Sequence, residues 1–351
     1  MHRDKIIPVG DLLSGSALES VIVVIVATGV IWVGSGWLEE SAEHLAGYYG
    51  LPAVIQGSVI VAVGSSFPEL VSVVLTSLSG TFGMGVGALV GSAVFNILVI
   101  PALAGIVADG ELVTSRTIVY KEAQFYMIAI SVLVVTFTLA VIYHPLSSEP
   151  SLIGELTRPL AILPLLLYGL YLFVQWQDIS DYNSNETHSE ISKPREWGKL
   201  VAGLLLILVA VEGLVTSVES LGHLFAIPEF FAGVTIVAAA TSLPDLLVSV
   251  RAANAGRGVT SVGNVLGSNT FDLLVTIPVG VLIVGVVPVN FTVAIPMLAV
   301  LTLATVLLFI FLRTDLAVTN VESYVLLGAY VVFLLWVVTE TIGITRIVHG
   351  A

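Results

Sequence analysis

The stretch 57-GSVIVAVGSSFPELVSVVLTSL-78 decides the fold. It is apolar enough to enter a bilayer, yet it sets Gly64, Ser65, Ser66, Pro68 and Glu69 close together. A second stretch, 231-FAGVTIVAAATSLPDLLVSV-250, repeats its pattern under a shift of 176 positions. Pro52 falls on Pro228, Gly57 on Gly233, Ser66 on Ser242, Pro68 on Pro244 and Glu69 on Asp245. The register continues without a gap: Gly80 meets Gly256, Gly87 meets Gly263, Gly91 meets Gly267, Ser92 meets Ser268, Phe95 meets Phe271 and Asn96 meets Asp272. Chance similarity between apolar segments aligns Leu, Val and Ala. Prolines, glycines, serines and an acid in one register mark an internal duplication.

Composition sets the environment. The 351 residues are 57% hydrophobic and only 11% charged, with mean hydropathy +1.04. A soluble domain would carry about a quarter charged residues, so the chain reads as an all-α, polytopic membrane protein. Without cysteine there is no disulfide, thiolate metal site or cysteine nucleophile. The net charge of −13, from 25 acidic and 12 basic residues, argues against nucleic acid as a partner. The N-terminal MHRDKIIPVGDLLSGSALES runs straight into a long apolar segment and does not read as a cleaved leader.

A spanning helix needs about 20 apolar residues. Ten segments meet this, near 18–38, 52–78, 83–107, 118–143, 156–176, 199–217, 227–253, 259–285, 288–312 and 321–342. The long polar connection 177-QDISDYNSNETHSEISKPREWGK-199 reads as a solvated loop or short surface helix. It divides the chain into a first five-helix half (1–176), a loop (177–198) and a second half (199–351), with the paired motifs at 52–101 and 228–277. Five is odd, so the halves enter the membrane from opposite sides, as two inverted-topology repeats. Interrupted segments at matching places in such halves point to a transporter's binding site. With ten spans both termini share a side with Arg3, Lys5, Arg158 and Arg346, against Arg116, Lys121, Lys193, Arg195, Lys199, Arg251, Arg257 and Arg313. The positive-inside bias puts the 177–198 loop in the cytoplasm and both termini outside.

Proline opens a helix, and the carbonyls of Ala62, Ser65, Ala238 and Thr241 are expected to lose helical partners near Pro68 and Pro244. Buried polar groups in lipid must be satisfied by protein, water or an ion. Glu69 and Asp245, freed carbonyls and the hydroxyls around Ser66 and Ser242 make an oxygen cage suited to hard cations such as Ca²⁺ and Na⁺. The motifs 91-GSAVFN-96 and 267-GSNTFD-272 place a serine and an amide or acid four apart on one helix face, Ser92 with Asn96 and Ser268 with Asp272. A lone proline is usually a kink and a lone serine usually bonds its own backbone. An acid at the bilayer centre costs about 2.5–3.5 kcal/mol or more and is a functional candidate by default. Glu212, whose counterpart is Gly36, is a weaker candidate; His44, His144 and His223 read as interfacial, and 39-EESAEH-44 and 178-DISDYNSNE-186 as solvated loops.

At these residues the chain resembles the sodium/calcium exchanger family of the cation/calcium antiporter superfamily. The resemblance implies exchange of Na⁺ for Ca²⁺ by alternating access, with the ions as cargo and no cofactor or enzymatic activity. Its partners are inorganic cations and membrane lipid. It implies a calcium site at Glu69 and Asp245 with backbone oxygens of Ser65 and Thr241. Sodium sites would add Ala62, Ala238, Ser92 and Ser268, with Asn96 and Asp272 lining the centre. The first-repeat Glu, Asp245, GSAVFN and Asp272 are most similar to the potassium-dependent branch, which implies K⁺ carried with Ca²⁺. Ala240 departs from the glycine usual there. A calcium/proton antiporter of the same fold is the nearest rival, but that branch would require an acid at Ser92 or Ser268. A magnesium exchanger, an intramembrane aspartyl protease and a channel fit less well: Mg²⁺ dehydrates reluctantly, the protease pairs Tyr-Asp and Gly-x-Gly-Asp are absent, and opposed half-sites suit alternating access.

Overall fold

A computed structural model describes residues 15–49, 62–108, 111–146, 152–180 and 192–345. Pro52, Gly57, the start of the second segment, Arg3, Lys5, Arg346 and most of 178-DISDYNSNE-186 lie outside the described residues. The chain folds as α1 Gly15–Tyr48, α2 Ala62–Ser65, α3 Phe67–Ser79, α4 Phe82–Leu98, α5 Ile100–Val107 and β1 Leu112–Val113. A π-helical turn Ile118–Glu122 leads into α6 Ala123–Tyr143, followed by β2 Ile153–Thr157 and α7 Arg158–Ser180. The second half runs α8 Lys193–Phe225, α9 Glu229–Ala232, a π turn Gly233–Val237, α10 Ala238–Thr241, α11 Leu243–Asn254 and α12 Gly258–Phe271. A π turn Asp272–Thr276 then leads to α13 Ile277–Val284, β3 Val286–Asn290, α14 Phe291–Asp315, β4 Ala317–Val318 and α15 Asn320–Thr341.

Among the described residues, eight helices are long and apolar enough to cross a membrane. A ninth span counts if Glu229–Thr241 and Leu243–Asn254, bent by 45°, are taken together. The breaks have the expected cause. Pro68 and Pro244 stand in the first turns of α3 and α11, where a missing N–H is harmless to the new helix and ends the old one.

Two features differ from the reading of the sequence, which has a solvated loop at 39–44 and no strands. Residues 39–44 continue α1 as helix, because α8 begins at Lys193 and meets them: His44 lies 3.2 Å from Glu196 and Glu40 3.2 Å from Lys199. The connections also contain short strands. β1 pairs antiparallel with β4 (Leu112↔Val318), and β2 with β3 (Ile153↔Asn290 to Thr157↔Val286). Each sheet joins one connection of the first half to one of the second. Since α6 lies between β1 and β2, and α14 between β3 and β4, these two helices run antiparallel and are tied at both ends.

Packing separates the molecule into two apolar cores. The larger gathers α4 to α7 with α12 to α15. The smaller is built on the antiparallel pair α1–α8, where Ile31 and Ile207, 176 positions apart, are both 0% exposed, and takes in Val71, Met84, Ala88, Ala232, Val237 and Ala240 of the segments around the breaks. The outer faces of this pair carry exposed Ile22, Ile25, Val26, Leu205 and Val209, as a lipid-facing surface does. Between the halves, α4 lies against α9 and its π turn with backbone touching backbone. Any side chain at Gly87 would strike the Phe230 carbonyl, and one at Gly91 the Val234 carbonyl.

A candidate cation site between the two breaks

The motif helices cross over. α4, carrying Ser92 and Asn96, packs on its own α3 and on the second half's α10. α12, carrying Ser268, packs on its own α11 and on the first half's α2. Each motif serine therefore meets an acid of its own half and a break serine of the other. Ser92 donates to Glu69 Oε1 at 3.2 Å and Ser268 to Asp245 Oδ1 at 2.8 Å. Ser242 donates to Ser92 at 2.7 Å, and Ser65 Oγ lies 3.1 Å from Ser268 Oγ. The symmetry slips by one place here, since Ser242 corresponds to Ser66 and Ser65 to Thr241.

Asn96 crosses the halves too, its Nδ2 donating to Asp245 Oδ2 at 2.8 Å. Asp272 opens the π turn after α12, with Thr276 Oγ1 3.5 Å from its Oδ1. It is near enough to Glu69 and Asp245 for their charges to interact. Glu69 is 2% exposed and Asp245, Asp272, Asn96, Ser65, Ser66, Ser92, Ser242 and Ser268 are 0%. Among the described residues no three His, Asp or Glu side chains close on one point; hydroxyls and amides bridge the acids instead.

Two expectations about the backbone need correcting. The carbonyls of Ala62 and Ala238 are not freed: each accepts the amide four residues on, from Ser66 and Ser242, at 3.0 Å. Ala62 O also accepts Ser65 Oγ at 3.2 Å, and Ala238 O lies 3.4 Å from Thr241 Oγ1. The physical reason is register. A proline deprives the carbonyl four residues before it, so Pro68 leaves Gly64 short and Pro244 leaves Ala240 short. Thr241 otherwise bonds Val237 O at 3.1 Å. Glu212 is exposed on α8, away from these groups.

Two asparagines were missed. Asn264 Nδ2 approaches Asp245 Oδ1 at 3.4 Å. Asn269 accepts from Asn96 at 3.0 Å and donates to Ala93 O and Tyr126 Oη, both at 3.2 Å. The signal for the first was present: Asn264, Ser268 and Asp272 recur every four residues along one face.

The donor set is all oxygen apart from the three asparagine amide nitrogens of Asn96, Asn264 and Asn269. Several of its oxygens have no hydrogen bond of good geometry among the described residues: Ser66 Oγ, Glu69 Oε2, Asn96 Oδ1, Asn264 Oδ1 and Asp272 Oδ2. Buried acceptors are normally satisfied, and a cluster that is not has the chemistry of a dehydrated hard-cation pocket.

Known proteins agree with this geometry in fold and family. The chain is 28% identical over 277 residues to the inner membrane protein YrbG of Escherichia coli, covering 74% of this chain and 80% of that one. It is 25% identical over 333 residues to the sodium/calcium exchanger MaX1 of Methanosarcina acetivorans, 86% and 93% of the two chains. A shorter match, 39% over 89 residues, covers 24% of this chain and 14% of the human sodium/potassium/calcium exchanger 4. Solved structures of the sodium-calcium exchanger NCX_Mj superpose with a TM-score of 0.65 at 22% identity over 90% of this chain and 97% of that one. The H⁺/Ca²⁺ exchanger CAX superposes with 0.72 at 16% identity over 93% and 85%. The sodium/calcium exchanger protein model matches residues 19–177 and 196–339, most of the chain. The chain is thus an integral, multi-pass membrane protein that belongs to the sodium/calcium exchanger protein family, a family of transporters rather than enzymes.

Proposed function

We propose that this chain exchanges Na⁺ for Ca²⁺ by alternating access at the site between the two breaks. The observation that carries the reading is the cluster of buried oxygens on Ser66, Glu69, Asn96, Asn264 and Asp272 that have no hydrogen bond of good geometry among the described residues. Glu69 and Asp245 hold Ca²⁺, with oxygens of Ser65 and Thr241. Ser66, Ser92, Ser242, Ser268 and the Ala62 and Ala238 backbone serve Na⁺ once their present hydrogen bonds rearrange. The three ionised carboxylates balance Ca²⁺ plus one monovalent ion, or three Na⁺. Empty, they leave buried charge unpaired, which is expensive, so the site reorients only when loaded. Asp272 gives a place for K⁺ beside Ca²⁺, a reading supported by the short match to a sodium/potassium/calcium exchanger.

The architecture that suits this is ten spans in two inverted five-helix halves, 1–176 and 199–351, with 177–198 cytoplasmic and the termini outside. The two matched stretches, one in each half, support it, as does the exchange of partners in the two small sheets. Helices α1 and α8, packed along one another and exposed on their outer faces, are the moving pair. Proton-driven exchange is the second reading, favoured by the superposition with CAX; against it, Ser92 and Ser268 put hydroxyls where an acid would be needed.

Reconstitution into liposomes tests the proposal. An outward Na⁺ gradient drives ⁴⁵Ca²⁺ uptake, and K⁺ stimulates it. Uptake that follows a pH gradient and ignores Na⁺ selects the proton reading.

A further inference from the structure

The second half carries a polar file that the first half lacks. Asn264 Nδ2 reaches Asp245 Oδ1 at 3.4 Å and Ser249 Oγ at 3.2 Å. Ser249 in turn donates to the backbone carbonyl of Ser261 at 3.3 Å. Ser249, Ser261 and Asn264 are 0%, 1% and 2% exposed. Shifted back by 176 positions, the same places hold Val73, Gly85 and Ala88. The acid at the head of the file is duplicated, as Glu69 and Asp245, but the file is not.

A purely structural file would use its polar groups to tie α11 to α12 and leave none over. This one leaves two. Asn264 Oδ1 and Ser261 Oγ have no hydrogen bond of good geometry among the described residues, and each such buried group carries a desolvation cost. In the first half the space beside Gly85 is taken by the Thr76 hydroxyl, which bonds carbonyls of its own helix, so the two helices pack there without a polar link between them.

We propose that these residues form a subsite for a dehydrated monovalent cation, lined by Asp245 Oδ1, the Asn264 amide oxygen and the hydroxyls of Ser249 and Ser261. The subsite rests on the reading of Asp245 as an ion ligand. Its charge selects its occupant: one carboxylate and three neutral oxygens balance a single positive charge, whereas Ca²⁺ there would leave charge uncompensated. Its place follows from helical register. Ser249 lies one turn beyond Asp245 and Ser261 about one turn before Asn264, so the file leads from the acid toward the α11–α12 turn. In the ion-free arrangement the Asn264 N–H stands beside Asp245 in place of the cation. Loading turns the amide over and presents its oxygen.

The test uses the purified full chain in detergent, following thermal unfolding as NaCl or KCl replaces choline chloride without calcium, and separately as CaCl₂ is added. The double variant Ser249→Val/Ser261→Gly installs the first half's residues. It should raise the half-saturating concentration of Na⁺ or K⁺ about tenfold, the loss expected for buried oxygen partners, while the calcium midpoint stays. Asn264→Ala should shift the monovalent midpoint the same way, and the ion whose midpoint moves is the occupant. If the double variant does not fold, Ser261→Ala and Asn264→Ala carry the comparison singly. A double variant that titrates with both monovalent ions as the wild type does overturns the proposal. So does a calcium midpoint that moves as far as the monovalent one, since the file is then packing for Asp245. A wild type that answers monovalent ions through these residues but never calcium supports the subsite and defeats the exchange reading.

Discussion

Asn96 of the first half donates to Asp245 of the second, Nδ2 to Oδ2 at 2.8 Å. The duplication supplies no return contact. The counterpart of Asn96 is Asp272, which has no N–H to offer; Glu69 accepts Ser92 at 3.2 Å through Oε1, and its Oε2 has no hydrogen bond of good geometry among the described residues. Asp245 thus has more donors around it than Glu69 does. At the Asn96/Asp272 pair the two halves differ in charge.

Glu69→Gln and Asp245→Asn should each reduce sodium-driven ⁴⁵Ca²⁺ uptake to the background of empty liposomes, while the proteins still elute as the wild type does in size-exclusion chromatography. Each removes one of the charges a divalent ion requires. Near-normal uptake in either would mean that the two acids do not share a calcium ion.

Asp272→Asn restores the symmetry with Asn96. Sodium/calcium exchange should persist and its stimulation by K⁺ should vanish. If the wild type is indifferent to K⁺, the third carboxylate is not a potassium ligand. If the variant still responds to K⁺, the ion sits elsewhere.

Gly91→Val should lower the unfolding temperature markedly, because its Cβ would overlap the backbone of Val234. Overpacking of this kind costs about 1–3 kcal/mol or more. Gly83 has open space around it, so Gly83→Ala should unfold as the wild type does. Equal unfolding temperatures for Gly91→Val and the wild type would mean that α4 and the π turn after α9 can separate without loss.

The absence of cysteine makes the proposed motion of α1 and α8 testable. The Cβ direction of Gly34 lies 3.3 Å from Leu206 Cβ, close to the roughly 3.5–4.5 Å that a disulfide spans. Gly34→Cys/Leu206→Cys should cross-link α1 to α8 on oxidation, and transport should survive if the pair moves as one body. Transport lost on oxidation and regained on reduction would show that the two helices slide past each other.

Much of this was legible in the sequence, and the reason is local. Pro68 and Pro244 announce their breaks whatever surrounds them, and an acid beside each has few structural excuses in a membrane. The helix lengths near Phe82–Val107 and Gly258–Val284 followed from apolar runs. What depended on partners distant in sequence was not legible. Residues 39–44 look like a loop until Lys199 and Glu196 stand opposite them. The strand pairs need four connections to meet. The carbonyls of Ala62 and Ala238 looked free because they stand near the breaks, but each lies six residues before its proline and still meets an amide four residues on. Asn264 was overlooked because its counterpart is Ala88, and a search for duplicated residues passes over one that occurs once.

The two small sheets set the span of the molecule. The helix from Ile118 to Tyr143 has 26 residues, about 39 Å of rise, and both its ends are stitched to those of α14. Two antiparallel rods joined at top and bottom cannot tilt independently, so this frame keeps one height in a thin membrane and in a thick one. The α1–α8 pair has no such stitches among the described residues. Hydrophobic mismatch costs fractions of a kcal/mol per Å, and in this chain it would fall on the pair proposed to move, so the proposed exchange should change its rate with lipid chain length.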